Sequence, residues 1–430
     1  MKLTIERTDL LRSLGHVQSV VERRNTIPIL SNVKIEADGD GVALNATDMD
    51  LDIVEKVPAN VSTPGATTAP ALTFFEIVRK LPDGAQVELE APGDGKLTIR
   101  AGRSRFTLSC LPTEDFPVMT GGDYGHSFKL PAADLRGLID RTRFAISTEE
   151  TRYYLNGIYL HVSEFEGAQT LRAVSTDGHR LASYALPLPD GAAGMPGVIV
   201  PRKTVGEIRK LIDETGDDIE ISLSDAKIRF AFDDAVLTSK LIDGTFPDYQ
   251  RVIPAGNDKE MSVNRKMLSD AVDRVSAISS EKSRAVKLAL GADNLSLSAS
   301  SPENGTAQED IEVSYSSDEF EIGFNSAYLL DIARQIDGDT ADQRSEAGRQ
   351  GDAQTVHADC KAAPFARKYG DHGRQHQRLN DARRKALHDA PDDQCVDVRR
   401  KGADESTGDK DQQCHRIGQA LAQCTHHPAV

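Results

Sequence analysis

Hydrophobic positions along this chain follow two rhythms, and the pair of rhythms recurs. Leu10, Leu11, Leu14, Val17 and Val21 are three or four residues apart, which places one apolar stripe along a helix. That helix-like run, LLRSLGHVQSVVE, leads into Ile29-Leu30-Ser31-Asn32-Val33. Further on, LRGLIDRTRFAIS leads into Tyr154-Leu155-Asn156-Gly157-Ile158, and MLSDAVDRVSAIS into Ala285-Val286-Lys287-Leu288. Leu30, Leu155 and Val286 stand at offsets of 125 and 131. A second helix recurs as FFEIVRKL, VGEIRKLI and YLLDIARQI, with Leu81, Ile212 and Ile336 at offsets of 131 and 124. A period this long predicts three similar domains in series rather than one large core.

Between and after the helices the period changes to two. Copy one reads VALNATDMDLDIVEKV and then QVELEAPGDGKLTIRAGRSRFTLSCL, with Val87, Leu89, Leu97 and Ile99 at even spacings. Copy two reads TLRAVSTDGHRLASYAL and then DIEISLSDAKIRFAFDDAVLTSKLI; copy three offers NLSLSASSPE and EDIEVSYSS. Alternation of this kind predicts half-buried antiparallel strands, with Pro92-Gly93-Asp94-Gly95 as a turn. Each complete unit is therefore two helices on one face of a β-sheet, an α+β fold. The expected boundaries are 1–125, 126–254 and 255–340.

Copy three breaks off. It reaches Asp337-Gly338-Asp339-Thr340 on schedule, but the closing alternation does not follow. Leu, Ile, Val and Phe make up nine of the ninety residues from 341 to 430, well below the roughly 20% expected of globular chain. A disordered tail would normally follow a finished domain, and this one begins where strands are still owed. A reading-frame shift near residue 341 is the expectation. Copy three should then leave the apolar faces of Ile332, Ile336 and the strand near Leu295–Leu297 open, beside an unpaired sheet edge.

Composition sets the remaining limits. The chain has 39% hydrophobic and 27% charged residues, no Trp and a formal charge of −16. Its first residues carry charges where a signal peptide needs an apolar core, and no run approaches the length of a membrane span, so a cytoplasmic protein is expected. Cys110 alone precedes residue 341, which excludes a disulfide framework in the repeats. The cysteines of the tail lack the short spacing of a zinc site, so no metal or cofactor is expected. Asp48-Met49-Asp50-Leu51-Asp52 begins like a calcium loop. Ile53 and Ala59 stand where such a loop needs Gly and Glu, and the segment reads instead as a strand with one wet face.

Thr176-Asp177-Gly178-His179-Arg180 groups an acid, an imidazole and a guanidinium, but no nucleophile elbow or phosphate loop accompanies it, and a binding turn beside Leu181 fits better than a catalytic one. Cations recur at the tip between first helix and strand: Arg23-Arg24, then Arg152 beside Tyr153 and Tyr154, then Lys282 and Arg284. Arg202 and Lys203 extend the pattern. Repeated cations at matching helix ends suit phosphate contact without base reading.

The strings RYYLNGIYL (152–160), STDGHRLA (175–182), TFPDYQRVIP (245–254), IPILSNV (27–33) and IGFNSAYLLDIA (322–333), set on a triplicated frame, resemble the bacterial sliding clamps, the beta subunits of DNA polymerase III. The resemblance runs to about residue 340. It implies a non-catalytic protein: a ring-shaped head-to-tail homodimer that encircles duplex DNA, with Arg24, Arg152, Tyr153, Tyr154, Arg202 and Lys203 toward the DNA. It implies that the replicative polymerase and the clamp loader dock through short apolar peptides. Their pocket would comprise Leu155, Thr176, Gly178, His179, Arg180, Leu181, Pro247, Arg251, Val252, Asn325 and Tyr328. It also implies a dimer interface of Arg103, Arg105, Phe106 and Leu108 against Ala277 and Ile278. The family's closing strand and C-terminus are missing from this sequence. The alternative reading is a tandem-repeat interaction scaffold that does not encircle DNA.

Overall fold

The computed structural model describes residues 1–342 except 23–25, 40, 120–121, 166, 217, 254–258, 281–283 and 337–339, and the tail read as disordered or frame-shifted lies outside the described residues. Copy one runs β1 (Lys2–Glu6), α1 (Arg7–Val20), β2 (Asn32–Asp38), β3 (Gly41–Thr47), β4 (Leu51–Pro58), β5 (Asn60–Thr63), β6 (Gly65–Pro70), α2 (Ala71–Arg79), β7 (Gln86–Glu90), β8 (Lys96–Ala101) and β9 (Ser104–Ser109). Copy two repeats the order with β10 (His126–Pro131), α3 (Ala132–Asp140), β11 (Gly157–Phe165), β12 (Ala168–Thr176), β13 (Leu181–Pro187), β14 (Val198–Pro201), α4 (Arg202–Ile212), β15 (Asp218–Leu223), β16 (Lys227–Ala231) and β17 (Ala235–Lys240). Copy three contributes β18 (Met261–Asn264), α5 (Arg265–Ser276), β19 (Ala285–Gly291), β20 (Asn294–Ser301), β21 (Gly305–Glu312), β22 (Ser314–Tyr315), β23 (Phe320–Asn325), α6 (Ser326–Ala333) and β24 (Thr340–Asp342).

The helical stripe read from the sequence is the buried one. Leu10, Leu14 and Val17 of α1 are fully enclosed, as are Phe74 and Val78 of α2. Val87, Leu89, Leu97 and Ile99 alternate into the same core from β7 and β8. Each such side chain contributes about 1.5–3 kcal/mol by leaving water. The turn between β7 and β8 carries Gly93 and Gly95 at φ of 97° and 74°, a region open to glycine at little steric cost.

Two sheets in each copy follow one plan. A meander of three strands takes a fourth from just before the second helix: β4-β3-β2-β6, β13-β12-β11-β14 and β21-β20-β19-β23. The first strand of each copy belongs to the other sheet: β5-β1-β7-β8-β9, then β10-β15-β16-β17, then β22-β18-β24. Copies one and two fuse where β17 pairs antiparallel with β4, from Ala235 opposite Glu55 to Ser239 opposite Leu51, so eight strands form one sheet and one apolar cluster spans both copies. Side chains reinforce that seam. Buried Glu55 accepts from Ser13 Oγ at 2.5 Å and meets His16 Nδ1 at 2.9 Å, and His16 Nε2 meets Glu214 of copy two at 3.0 Å. No ladder joins copies two and three among the described residues; there β13 is a sheet edge.

Copy three has its own core, and one of two changed expectations lies there. Leu295 and Leu297 are not exposed: both are 0% accessible, packed with Ala271, Val272 and Val275 of α5. A helix covering one face of β19 and β20 is enough to bury that face, whatever closes the other sheet. Ile336 is half-buried against the same cluster, and Ile332 is half-buried too. The second change concerns residues 48–50, which form a turn rather than part of a strand. Asp48 Oδ1 accepts from the backbone N–H groups of Asp50 and Leu51, and Met49 adopts φ 78°. Asp52, expected on a wet face, is 7% accessible, because β17 covers the β4 edge that a lone strand would have left to water.

Candidate functional site

The Thr176–Arg180 turn is built by its own side chains. Thr176 Oγ1 donates to Arg180 O at 2.6 Å and accepts from Gly178 N at 3.0 Å, while Asp177 Oδ1 accepts from the N–H groups of His179 and Arg180 at 2.9 and 3.0 Å. Thr47 and Asp48 make the same four bonds in copy one, with Met49 where copy two has Gly178. Gly178 sits at φ 85°, and a Cβ there would lie 2.6 Å from an Arg152 guanidinium nitrogen.

The turn delivers Leu181 into an apolar cluster. Leu155, Val174, Leu181, Ile199, Phe246 and Tyr249 are buried together, with Tyr154, Tyr159 and Val252 partly buried against them. Tyr159 stacks on Phe246 at 4.8 Å and on His161 at 4.6 Å, and His161 Nε2 lies 3.1 Å from the Tyr249 hydroxyl. Burial holds the His161 imidazole below its ordinary range and raises the Tyr249 phenol; a neutral, apolar-walled surface results. Pro247 and Arg251 are exposed on the same segment, Arg251 pairing with Asp248 at 2.7 Å.

Arg180 reaches the other way. Its Nε donates to Asp177 at 3.1 Å, one terminal nitrogen to Phe144 O at 2.5 Å, and the other to Asp331 of α6 at 2.5 Å. The guanidinium carbon lies 4.6 Å from the Tyr328 ring centre and 5.3 Å from that of Phe144. Asn325 caps α6, its Oδ1 accepting from Ala327 N at 3.0 Å. Leu155, Leu181 and Val252 thus meet in one cluster, and Arg180 with Tyr328 in one stack. Phe144, Phe246, Tyr249 and Asp331 were not anticipated. TFPDYQ carried a signal for Phe246 and Tyr249, whereas Phe144 meets Arg180 only through the folding of copy two, and Asp331 becomes visible only when copies two and three are placed side by side.

The six residues anticipated at DNA divide. Arg24 lies outside the described residues. Arg152 pairs with Glu149 at 3.3 Å beside the Gly178 turn, and Tyr154 packs on the apolar cluster, edge-on to the half-exposed Tyr153 at 5.7 Å. Lys203 bonds Val20 O at 2.9 Å, Asp48, and Glu22 at 3.5 Å, tying α4 to copy one. Arg202 is exposed in the first turn of α4. Of the interface residues, Arg103 and Arg105 are exposed, Phe106 is 37% accessible on the edge strand β9, and Leu108 packs against the core. Ala277 is exposed and Ile278 half-buried at the end of α5, next to the edge strand β21, where Arg274 and Glu309 pair at 2.5 Å. Among the described residues no group of three or more His, Cys, Asp or Glu is placed to hold a metal, and no helix is long and apolar enough to cross a membrane.

Family models match along the same frame. The N-terminal, central and C-terminal domains of the DNA polymerase III beta subunit match residues 1–120, 129–248 and 250–344. The beta sliding clamp of Caulobacter vibrioides is 54% identical over 345 residues, covering 80% of this chain and 93% of that protein. That of Escherichia coli is 39% identical over 337 residues, covering 78% and 90%. Among solved structures, a DnaN sliding clamp from Bartonella birtlesii bound to griselimycin is 51% identical with a TM-score of 0.77, covering 79% of this chain and 91% of that one. With three consecutive domain models matched and relatives above half identity across almost their whole length, the chain belongs to the beta sliding clamps, the beta subunits of DNA polymerase III.

Proposed function

We propose that this chain acts as a processivity clamp: two copies close head to tail around duplex DNA, and the ring tethers the replicative polymerase without making or breaking bonds. The observation that carries the reading is the seam between copies one and two. There the last strand of one copy, β17, adds to the outer meander strand of its neighbour, β4. By the internal repeat β9 corresponds to β17, and β21 corresponds to β4; both are sheet edges. Joining β9 of one chain to β21 of another repeats the seam between chains. It places Arg103, Arg105, Phe106 and Leu108 near Ala277 and Ile278. Closure also accommodates the charge of −16, since a topological link needs only weak, sequence-blind phosphate contact. Exposed Arg202 supports such contact best, and Arg24 joins it by its place in the repeat of cations; Arg152, Tyr153, Tyr154 and Lys203 belong to it only where they can leave their present partners.

The apolar cluster beside the Thr176 turn, with Leu155, Gly178, His179, Arg180, Leu181, Pro247, Arg251 and Val252 and with Asn325 and Tyr328 from copy three, is the docking site for short apolar peptides of the polymerase and the clamp loader. An apolar floor takes Leu or Phe anchors and a polar rim orients the backbone. The domains divide at 1–125, 126–254 and 255–340, the residues beyond are the product of a shifted reading frame, and the protein works in the cytoplasm. Retention on circular duplex DNA tests the function: a clamp stays on the circle and leaves once it is cut. A scaffold that does not encircle DNA shows no difference between circle and line, and that result defeats the proposal.

A further inference from the structure

Copies one and two share a strand ladder, whereas copies two and three share none among the described residues. Arg180 bridges the second junction among the described residues. Its Nε and both terminal nitrogens have acceptors, on Asp177, Asp331 and Phe144 O, and the rings of Tyr328 and Phe144 lie over it. The side chain is 13% accessible. A guanidinium so fully engaged has little left to offer a ligand unless a bond is given up. Two of its four partner residues, Tyr328 and Asp331, belong to copy three.

We propose that Arg180 is a latch holding α6 of copy three against the Thr176 turn of copy two, and that a docking peptide must draw Tyr328 and Asp331 away from it. Occupancy of the site and the position of copy three are then coupled, with Asp331 as the positioning residue that keeps the latch shut. The coupling rests on the peptide-docking reading above; the latch itself does not. Arg180 serves copy three before it serves any peptide, so weakening its bond to Asp331 should help binding rather than harm it. A site whose competent form is only fractionally populated binds more tightly once the closed form is destabilised.

The chain contains no Trp, so Tyr328→Trp in the full chain supplies a single reporter at the latch. Acrylamide quenching of that reporter reads the latch, and polarisation of a labelled Ser-Leu-Ser-Leu-Phe peptide reads the site. Adding Asp331→Asn, or separately Arg180→Lys, should raise the quenching constant about twofold, and Asp331→Asn should tighten peptide binding about three- to tenfold. Hydrogen exchange of α6 in chains that retain Tyr328 gives the same comparison without the reporter, and protection there should fall in both variants. Unchanged quenching and unchanged exchange would overturn the latch. Weaker peptide binding by Asp331→Asn would overturn the coupling and make Asp331 a direct peptide contact. No peptide binding by any of these chains would remove the docking reading and the coupling together, while quenching and exchange still decide the latch.

Discussion

Asp52 shows how much one residue can depend on a neighbouring domain. It lies in β4 opposite Thr47 and Thr238, nearly enclosed, and its Oδ1 is buried without a hydrogen-bond partner among the described residues. Burial, aided by the nearby Asp48 charge and opposed by Asn45, pushes its carboxyl from 3.8 up to about 6. A raised carboxyl means that the folded chain binds the proton more tightly than the unfolded one, so stability is full below pH 3.8 and falls as pH rises toward about 6. Asp52→Asn removes the charge. At pH 8 it should be more stable than the parent by about 2–3 kcal/mol, taking about 1.4 kcal/mol per pKa unit. The advantage should vanish near pH 4. Urea denaturation at the two pH values checks this, and an advantage independent of pH would mean that packing rather than charge is at work. From sequence, Asp48–Asp52 looked like alternation because every second residue is acidic. Nothing local says that a strand 180 residues away will cover one of them.

Helices and strands were far more legible than their neighbours. Stripes such as Leu10, Leu14 and Val17 encode which face is buried, and the same stripe written three times encodes the repeat. The partner of a strand edge is not encoded this way. β4, β13 and β21 have the same place in their copies, yet only β4 has a ladder partner beyond its own meander among the described residues. For the same reason the pocket residues of copy two were readable as motifs, while the Arg180 contact to Asp331 of copy three was not. Copy three, with its own cluster and no shared ladder, should also melt on its own. Asn264 caps α5, its side chain accepting from Met267 N at 3.0 Å, and a lost cap of this type costs about 1 kcal/mol. Asn264→Ala should therefore lower the first of two calorimetric transitions and leave the second in place. A common shift of both would show that copy three unfolds with the rest.

At the scale of the whole chain the same asymmetry should govern cutting. Copies one and two are bound by eight continuous strands and one core, so limited proteolysis should leave a fragment ending near residue 253, with copy three removed first. Mass spectrometry of the resistant product decides it, and a stable cut between copies one and two would defeat the shared-core account. The seam of β17 on β4 also fixes a valence. Each copy that is complete supplies one donor strand, and each meander supplies one acceptor. The described residues leave one donor unused, β9, but two acceptors, β13 and β21. In any closed assembly built from these strands alone, donors are outnumbered and one acceptor per chain goes without. When β9 of each chain takes β21 of the other, the acceptor that goes without is β13, so a pair keeps both ladders between chains and the gap falls inside each chain, at the junction of copies two and three: such a ring is weakest within its subunits rather than between them.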